Sequence, residues 1–382
     1  MTMVSPARVP LATTTDAQSA VEPLVVRVDL ACGGYDIVVG PGLLSSLGEL
    51  ARVVGAGQGL LVADDTVAGL YGEVALQSLR EAGCRVCLAT VPPGEDSKTL
   101  AQAERLYEAC LTAGLDRGST IFALGGGVVG DLAGFVAGTF MRGIRFVQAP
   151  TTLLAQVDAS VGGKTAVDLP QAKNVVGVFH QPALVVADTE ALETLPEREF
   201  RGGLAEVVKH AAIADVEMFA YLQAQSAEVL ARAPYVLRAL VARNCQIKAE
   251  VVRADPRESG LRAVLNYGHT IGHALERAAA TWDLRHGEAV AHGMVAEARV
   301  AEELGVAGPG LAKQLATLLA ALGLATDRPR VEASRALTAL RHDKKLESGR
   351  LRLPLLPRPG EVVLRDDVAL EVLGAALTET LG

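Results

Sequence analysis

Positive charge is in short supply: 36 Lys and Arg stand against 44 Asp and Glu, a formal net charge of −8. A nucleic-acid partner would require a strongly basic face, so none is expected, and the basic residues should act locally. Long hydrophobic runs are also missing. Half of the 382 residues are hydrophobic, but charge or glycine interrupts them every few positions, so no membrane span or membrane partner is expected and the chain reads as soluble. The stretch from Met1 to Pro23 has a single basic residue and no apolar core of signal-peptide length before Thr13-Thr14-Thr15. It reads as a disordered tail rather than a targeting segment. Cysteine is scarce and odd in number at five, which favours a reducing, cytoplasmic compartment over a disulfide scaffold. Cys84 and Cys87 form a C-x-x-C, but Arg85-Val86 and Leu88-Ala89 around them read as strand, where positions i and i+3 point to opposite faces. No redox or metal role is expected for the pair. Internal repeats are absent.

What is present is enough chain for two domains, since single cores stop growing at roughly 250 to 300 residues. From Leu24 to Leu192, β-rich segments alternate with helical ones. Val25 to Val28 and Tyr35 to Val39 flank Cys32-Gly33-Gly34 as a hairpin. Further strands are expected at Gly59 to Ala63, Arg85 to Val91, Thr120 to Leu124, Arg145 to Ala149 and Leu184 to Ala187. Strands alternating with helices predict an α/β fold, a doubly wound parallel sheet covered on both faces. Beyond Pro196 the apolar residues follow the helical period, as in Leu204 to Ala214, Val236 to Val252 and Glu288 to Leu304. Leu351 to Leu356 and Val362 to Leu364, bending at Pro357-Arg358-Pro359-Gly360, predict a late hairpin. The expected organisation is a tail over 1–23, a dinucleotide-type α/β domain over 24–198 and a mainly α-helical domain over 199–382.

Gly125-Gly126-Gly127 follows the strand Ile121 to Leu124 and precedes the helical run Val128 to Thr139. Glycines there let backbone N–H groups approach a diphosphate, and the helix dipole adds attraction. Asp131 is expected in the first turn of that helix, where capping is its simplest role. Glu95 and Lys98 lie where an acidic residue takes ribose hydroxyls in nucleotide folds, although singly such residues make a solvated turn. Thr151 and Thr152 offer hydroxyls at another strand end.

His269 and His273, at i and i+4, leave one helix face together. His286-Gly287-Glu288 follows within twenty positions, and Glu206 lies in the apolar helix around Val207-Val208-Lys209. Catalytic zinc takes three protein ligands of the His and Glu kind, but spacing does not choose three from His269, His273, His286, Glu206 and Glu288. His180, His210, His292 and His342 carry no such pattern. Cationic residues beside glycine or asparagine, namely Arg142, Lys164, Lys173, Lys209, Lys248, Arg262 and Lys344, suggest a compact anionic ligand such as a sugar phosphate.

From about Tyr35 to about Leu356 the chain resembles 3-dehydroquinate synthases, members of the sugar-phosphate cyclase superfamily. The resemblance is carried by Gly125 to Leu132, Pro150 to Asp158, Val161 to Val167, Lys173-Asn174 with Gln181-Pro182, Gly203 to Lys209, and Gly260-Leu261-Arg262 through His269 to His273. It implies a Rossmann-like N-terminal domain and a helical C-terminal domain with the active site between them. It selects Glu206, His269 and His286 as ligands of one zinc or cobalt ion and makes His273 a substrate-contacting or relay residue. NAD is implied over Glu95, Lys98, Gly126, Gly127, Val128, Val129, Gly130, Asp131, Thr151, Thr152, Lys164, Lys173 and the turn Ala191-Leu192-Glu193-Thr194. Substrate contacts are implied at Arg142, Asp158, Lys164, Asn174, Lys209, Lys248, Arg262, Asn266, His273 and Lys344.

The implied reaction converts 3-deoxy-D-arabino-heptulosonate 7-phosphate to 3-dehydroquinate and phosphate, in the shikimate route to aromatic amino acids, by a homodimeric lyase. Transient oxidation of the C5 alcohol acidifies the adjacent C–H, phosphate is eliminated, the ketone is reduced back, and ring opening permits an aldol closure. NAD is thereby regenerated in each turnover. Rival readings are a cyclase acting on a neutral sugar phosphate, against which Arg262 and Asn266 argue, a metal-dependent polyol dehydrogenase that would release NADH, and a silent scaffold. The residues before Val25 have no counterpart in the family, and His180 stands where the family often has an aromatic residue.

Overall fold

A computed structural model of the chain describes residues 8–11, 22–31, 33–258, 260–279, 284–324, 329, 331–341, 346–347 and 350–381. By packing, the chain divides into two compact units: residues 12–196 with 234–253, and residues 1–11, 197–233 and 254–382.

The first unit is built on strands β1 (Leu24–Val28), β2 (Tyr35–Gly40), β3 (Gln58–Asp64), β4 (Arg85–Val91), β5 (Thr120–Gly125) and β6 (Arg145–Pro150). These are followed by β7 (Lys164–Leu169), β8 (Ala172–Phe179) and β9 (Leu184–Asp188). Seven of them form one sheet in the order β1-β2-β9-β6-β5-β3-β4, parallel except for the β1–β2 hairpin. β3 shows why such strands are continuously apolar. Leu61 and Ala63 pack on one face with Leu79, Phe122 and Val147, while Leu60 and Val62 pack on the other with Ile121, Val136 and Phe146. Both faces are covered, as the parallel arrangement demands, and burying each large side chain contributes roughly 1.5–3 kcal/mol.

The order has a functional consequence. β3, β4, β5, β6 and β9, numbered one to five, stand 2-1-3-4-5, so the winding reverses between β3 and β5. In open α/β sheets ligands bind outside the carboxyl ends of strands at that reversal, and the triple glycine lies at the end of β5. The five expected parallel strands are all present. The antiparallel ribbon β7–β8 was not among them: β8 is half solvent-facing, and its glycine and lysine obscure the alternation that marks a strand. Cys84 is buried and Cys87 exposed at β4, as the strand reading requires.

The Pro234–Ala254 helix packs within this unit; Cys245 Sγ donates to the carbonyl of Gln156 at 3.2 Å, and Arg238 donates to the carbonyl of Glu22.

The second unit is mainly helical, with helices Glu197–Ala214, Val216–Ala224, His269–Ala278, His286–Glu303, Leu311–Ala321, Ala333–Arg341 and Leu370–Leu381. A three-stranded sheet of β10 (Leu346–Glu347), β11 (Arg350–Arg358) and β12 (Glu361–Val368) contains the expected hairpin, turning at Pro359-Gly360. Gly360 has φ 86° there, a conformation that glycine adopts at little cost. Within the expected tail, Arg8 pairs with Asp215 at 3.4 Å and donates to the carbonyl of Ala214. Among the described residues, no helix is long and apolar enough to cross a membrane.

Candidate metal centre and nucleotide-binding residues

At the carboxyl end of β5, Gly126 is extended and the Gly127–Thr139 helix begins immediately after it, with no side chain capping its first turn. Glycine is needed by contact rather than by φ: a β-carbon on Gly126 would stand 3.1 Å from Thr152 Cγ2, and one on Gly130 3.0 Å from Gln148 Oε1. Thr151 donates its N–H to the carbonyl of Gly125 at 3.0 Å, fixing the end of β6 beside the glycine turn. A close-packed glycine turn opening an uncapped helix is a fitting cradle for a diphosphate. Val128 and Val129 occupy the helix's first turn, and Val129 is buried in the sheet's core.

Contrary to the expectation from sequence, Asp131 does not cap this helix. The helix starts early enough to carry Asp131 one turn in, where its carboxylate meets Lys98 Nζ at 3.1 Å. Lys98 is not in a solvated turn either: it is 4% exposed, lies 3.3 Å from Glu95 Oε1 and donates to Asn174 Oδ1 at 2.7 Å. Burial would lower its pKa, but Asp131 and Glu95 hold the ammonium and raise it overall. Burial pushes Asp131 up to about 6 against the pull of Lys98. Lys173 reaches Glu95 at 3.7 Å. Four residues singled out separately in sequence, Glu95, Lys98, Asp131 and Asn174, therefore form one polar cluster.

Asn174 adopts φ 57°, a left-handed conformation that asparagine tolerates better than most residues. Its N–H is held by Asp168 Oδ1 at 2.7 Å. Arg142 is likewise left-handed, with φ 70°, and exposed. Lys164 opens β7 and is exposed. Asp158 forms an ion pair with Lys248, Oδ1 to Nζ, at 2.6 Å. At the end of β9, Ala191 and Leu192 are buried, and Tyr71, absent from the sequence reading, bonds to Thr194 Oγ1 at 2.6 Å and the carbonyl of Ala191 at 3.3 Å. Glu193 ends that turn.

In the helical unit, Glu206, His269 and His286 come from three helices and converge, their ligand atoms within 4.8 Å of one another. Glu206 Oε1 is 3.4 Å from Nε2 of both histidines. The glutamate is fully buried; Lys209 forms an ion pair with Oε2, yet neither oxygen takes a well-directed hydrogen bond. Burial alone would raise its pKa, but Lys209, His269 and His286 bring it well below the usual carboxylate range. Each histidine is oriented through its other nitrogen: His269 Nδ1 faces the carbonyl of Tyr267 at 3.1 Å, and His286 Nδ1 faces Glu276 Oε1 at 3.2 Å. Such partners leave Nε2 as the ligand atom. Burial drives His269 well below its ordinary value, as befits a neutral ligand. It would lower His286 too, but the neighbouring carboxylates of Glu206 and Glu276 raise it to about 10. That position favours positive charge, which a metal ion would supply. The donor set fits a three-ligand divalent-metal site.

Close helix packing holds the candidate ligands. A β-carbon on Gly293 would stand 1.9 Å from the carbonyl oxygen of Gly268, the residue before His269. Glu297, fully buried, accepts from the N–H of Gly268 at 2.7 Å and so ties the helix of His286 to the start of the helix of His269. Neither Glu276 nor Glu297 was singled out from sequence. Glu276 was findable, being seven residues after His269 and on its face of the helix; Glu297 required knowledge of which helices pair.

The remaining candidates separate. His273 shares the ring cluster, its centroid 5.3 Å from that of His269 and 6.0 Å from that of His286. Glu288, admitted as a ligand by spacing, instead binds Arg198 with both oxygens at 2.6 and 2.9 Å. Arg262 is 2% exposed; its N–H is held by Asp255 at 3.0 Å and its guanidinium donates to the carbonyl of Pro256 at 3.3 Å. Asn266 ends the Leu261–Asn266 turn, half-buried. His180 bonds to the carbonyl of Ile144 at 2.8 Å. Lys344 and His342 lie outside the described residues.

Fold and site together define an α/β protein with a dinucleotide-type sheet and a helical unit bearing a His/His/Glu cluster. Family models for the 3-dehydroquinate synthase N-terminal and C-terminal regions match residues 88–202 and 203–346. A 3-dehydroquinate synthase of Symbiobacterium thermophilum is 54% identical over 343 residues, 89% of this chain and 96% of that protein. A solved 2-deoxy-scyllo-inosose synthase, complexed with carbaglucose-6-phosphate, NAD+ and Co2+, superposes with a TM-score of 0.86 at 27% identity, covering 93% of this chain and 100% of that one. A 2-epi-5-epi-valiolone synthase of Streptomyces hygroscopicus subsp. jinggangensis, with NAD+ and Zn2+ bound, gives 0.83 at 30% identity, covering 91% and 96%. The chain belongs to the 3-dehydroquinate synthase family.

Proposed function

We propose that the chain is a 3-dehydroquinate synthase, a lyase that converts 3-deoxy-D-arabino-heptulosonate 7-phosphate to 3-dehydroquinate and phosphate, using NAD and one zinc or cobalt ion. The convergence of Glu206, His269 and His286, on segments that the family model covers, carries the reading. When bound, NAD supplies reversible oxidation of the C5 alcohol and the divalent ion acidifies the hydroxyl beside it.

The chain's own residues bind, orient and move protons. Glu206, His269 and His286 would hold the ion, with Tyr267 and Glu276 directing the imidazoles. The uncapped helix start after Gly126 would take the dinucleotide's diphosphate, and the cluster of Glu95, Lys98 and Asp131 would serve its polar groups. Lys164, Asn174, Lys209, Lys248 and Arg142 would fix an anionic substrate, contributing chiefly by orientation. Arg262 would take the carboxylate through its planar fork. His273, whose ring lies beside those of His269 and His286, would relay a proton.

The test is incubation of the purified protein with the heptulosonate phosphate, NAD and zinc, following phosphate and absorbance of NADH together. Phosphate release without net NADH is expected. Stoichiometric NADH would mark a dehydrogenase, and no turnover a silent homologue; either would overturn the proposal.

A further inference from the structure

The two liganding histidines are oriented by different kinds of group. His269 faces a main-chain carbonyl, that of Tyr267, which no substitution at that residue removes. His286 faces a side chain, the carboxylate of Glu276. The second oxygen of that carboxylate is 3.9 Å from His273 Nε2. Glu276 thus lies against both a ligand and the neighbouring imidazole from one position on the His269–Ala278 helix.

The geometry points to Glu276 as a positioning residue of the metal centre: it accepts the Nδ1 proton of His286, turns Nε2 toward Glu206, and so raises affinity for the divalent ion. The inference rests on the metal-site reading above. A carboxylate acceptor fixes the tautomer that leaves Nε2 free to ligate, and it increases the basicity of that nitrogen. A competing possibility is chemical rather than structural: His273, Glu276 and His286 also present ligand atoms within 4.8 Å of one another, so Glu276 could bind the ion directly through its charge.

Zinc affinity, measured by competition with a chromophoric chelator, separates these cases without recourse to turnover. The proteins compared are wild type, Glu276→Gln, Glu276→Met and His269→Ala. Glu276→Met keeps length and helix propensity but removes the acceptor, and should weaken zinc binding by about 10- to 100-fold. Glu276→Gln keeps an acceptor oxygen and should stay within about threefold of wild type, the conservative rescue expected of an orienting group. Wild-type affinity in Glu276→Met would overturn the inference, and so would an equal loss in both Glu276 variants, which would make Glu276 a ligand. His269→Ala tests the underlying site: if it binds zinc as tightly as wild type, the metal-site reading itself fails, whatever Glu276 does.

Discussion

Gly287 packs against Gly202 so closely that a β-carbon on Gly287 would stand 2.1 Å from the Gly202 carbonyl oxygen. One glycine follows His286 and the other precedes Glu206 by a single helical turn, so this contact sets the distance between two proposed ligands. Gly287→Ala must push the helices apart. Overpacking of this kind costs about 1–3 kcal/mol, and a displaced helix moves a ligand with it. Gly287→Ala should therefore melt earlier than wild type and bind zinc at least about tenfold more weakly, in the range of lost supporting contacts. Unchanged zinc affinity in a destabilised variant would show that the contact serves packing alone.

Prolonged chelation should abolish turnover, and added zinc or cobalt should restore it, because the His/His/Glu set is of the kind that leaves catalytic positions open. His286→Ala should resemble the metal-free protein in turnover, down by roughly 100-fold or more, on the scale of a lost ligand rather than a lost outer contact. Undiminished activity after metal removal would refute the assignment.

Arg262 bears on which substrate is recognised. Truncating one partner of a buried charge pair costs about 2–5 kcal/mol, and about 1.4 kcal/mol is a factor of ten. Arg262→Ala should lower kcat/KM on the heptulosonate phosphate by roughly 30-fold or more and leave NAD affinity nearly unchanged. On a seven-carbon sugar phosphate without the carboxylate, wild type should turn over poorly and the variant should lose little further. Equal losses on both substrates would show that Arg262 does not read the carboxylate.

Asp131 gives a pH dependence with a definite sign. Its folded pKa of about 6 exceeds the ordinary 3.8, so the folded state binds the proton more tightly. The resulting stabilisation is full below about pH 4 and is lost as pH rises through about 6; a gap of two pKa units corresponds to about 3 kcal/mol. Urea denaturation of the NAD-free protein should show wild type losing stability relative to Asp131→Asn across that window. Parallel profiles for the two would contradict the partly buried environment assigned to Asp131.

Much of the site was legible in the residues. The strand–glycine–helix order at Gly125 to Val129 follows from backbone chemistry, and the His269/His273 pair from helical spacing. Spacing also admitted Glu288, which binds Arg198, and placed Asp131 in a capping position that the early helix start denies it. Lys98 read as a surface residue because local sequence carries no information on what covers a turn.

The sequence by itself determined the sheet's continuously apolar strands, the helical second half, the late hairpin and the types of residue available for ligation. Those properties depend on neighbours within a few positions, where alternation, helical period and turn chemistry operate. Only the tertiary structure decided that Glu95, Lys98, Asp131 and Asn174 share one cluster and that the β7–β8 ribbon carries Lys164 and Asn174. It also decided that Glu206 meets His269 and His286 while a main-chain carbonyl and Glu276 face their other nitrogens. Such relationships span up to 80 residues of chain, as between Glu206 and His286, and depend on how closely helices approach. That approach is set by glycines such as Gly287 and Gly293, whose missing side chains acquire meaning only when another backbone fills the space.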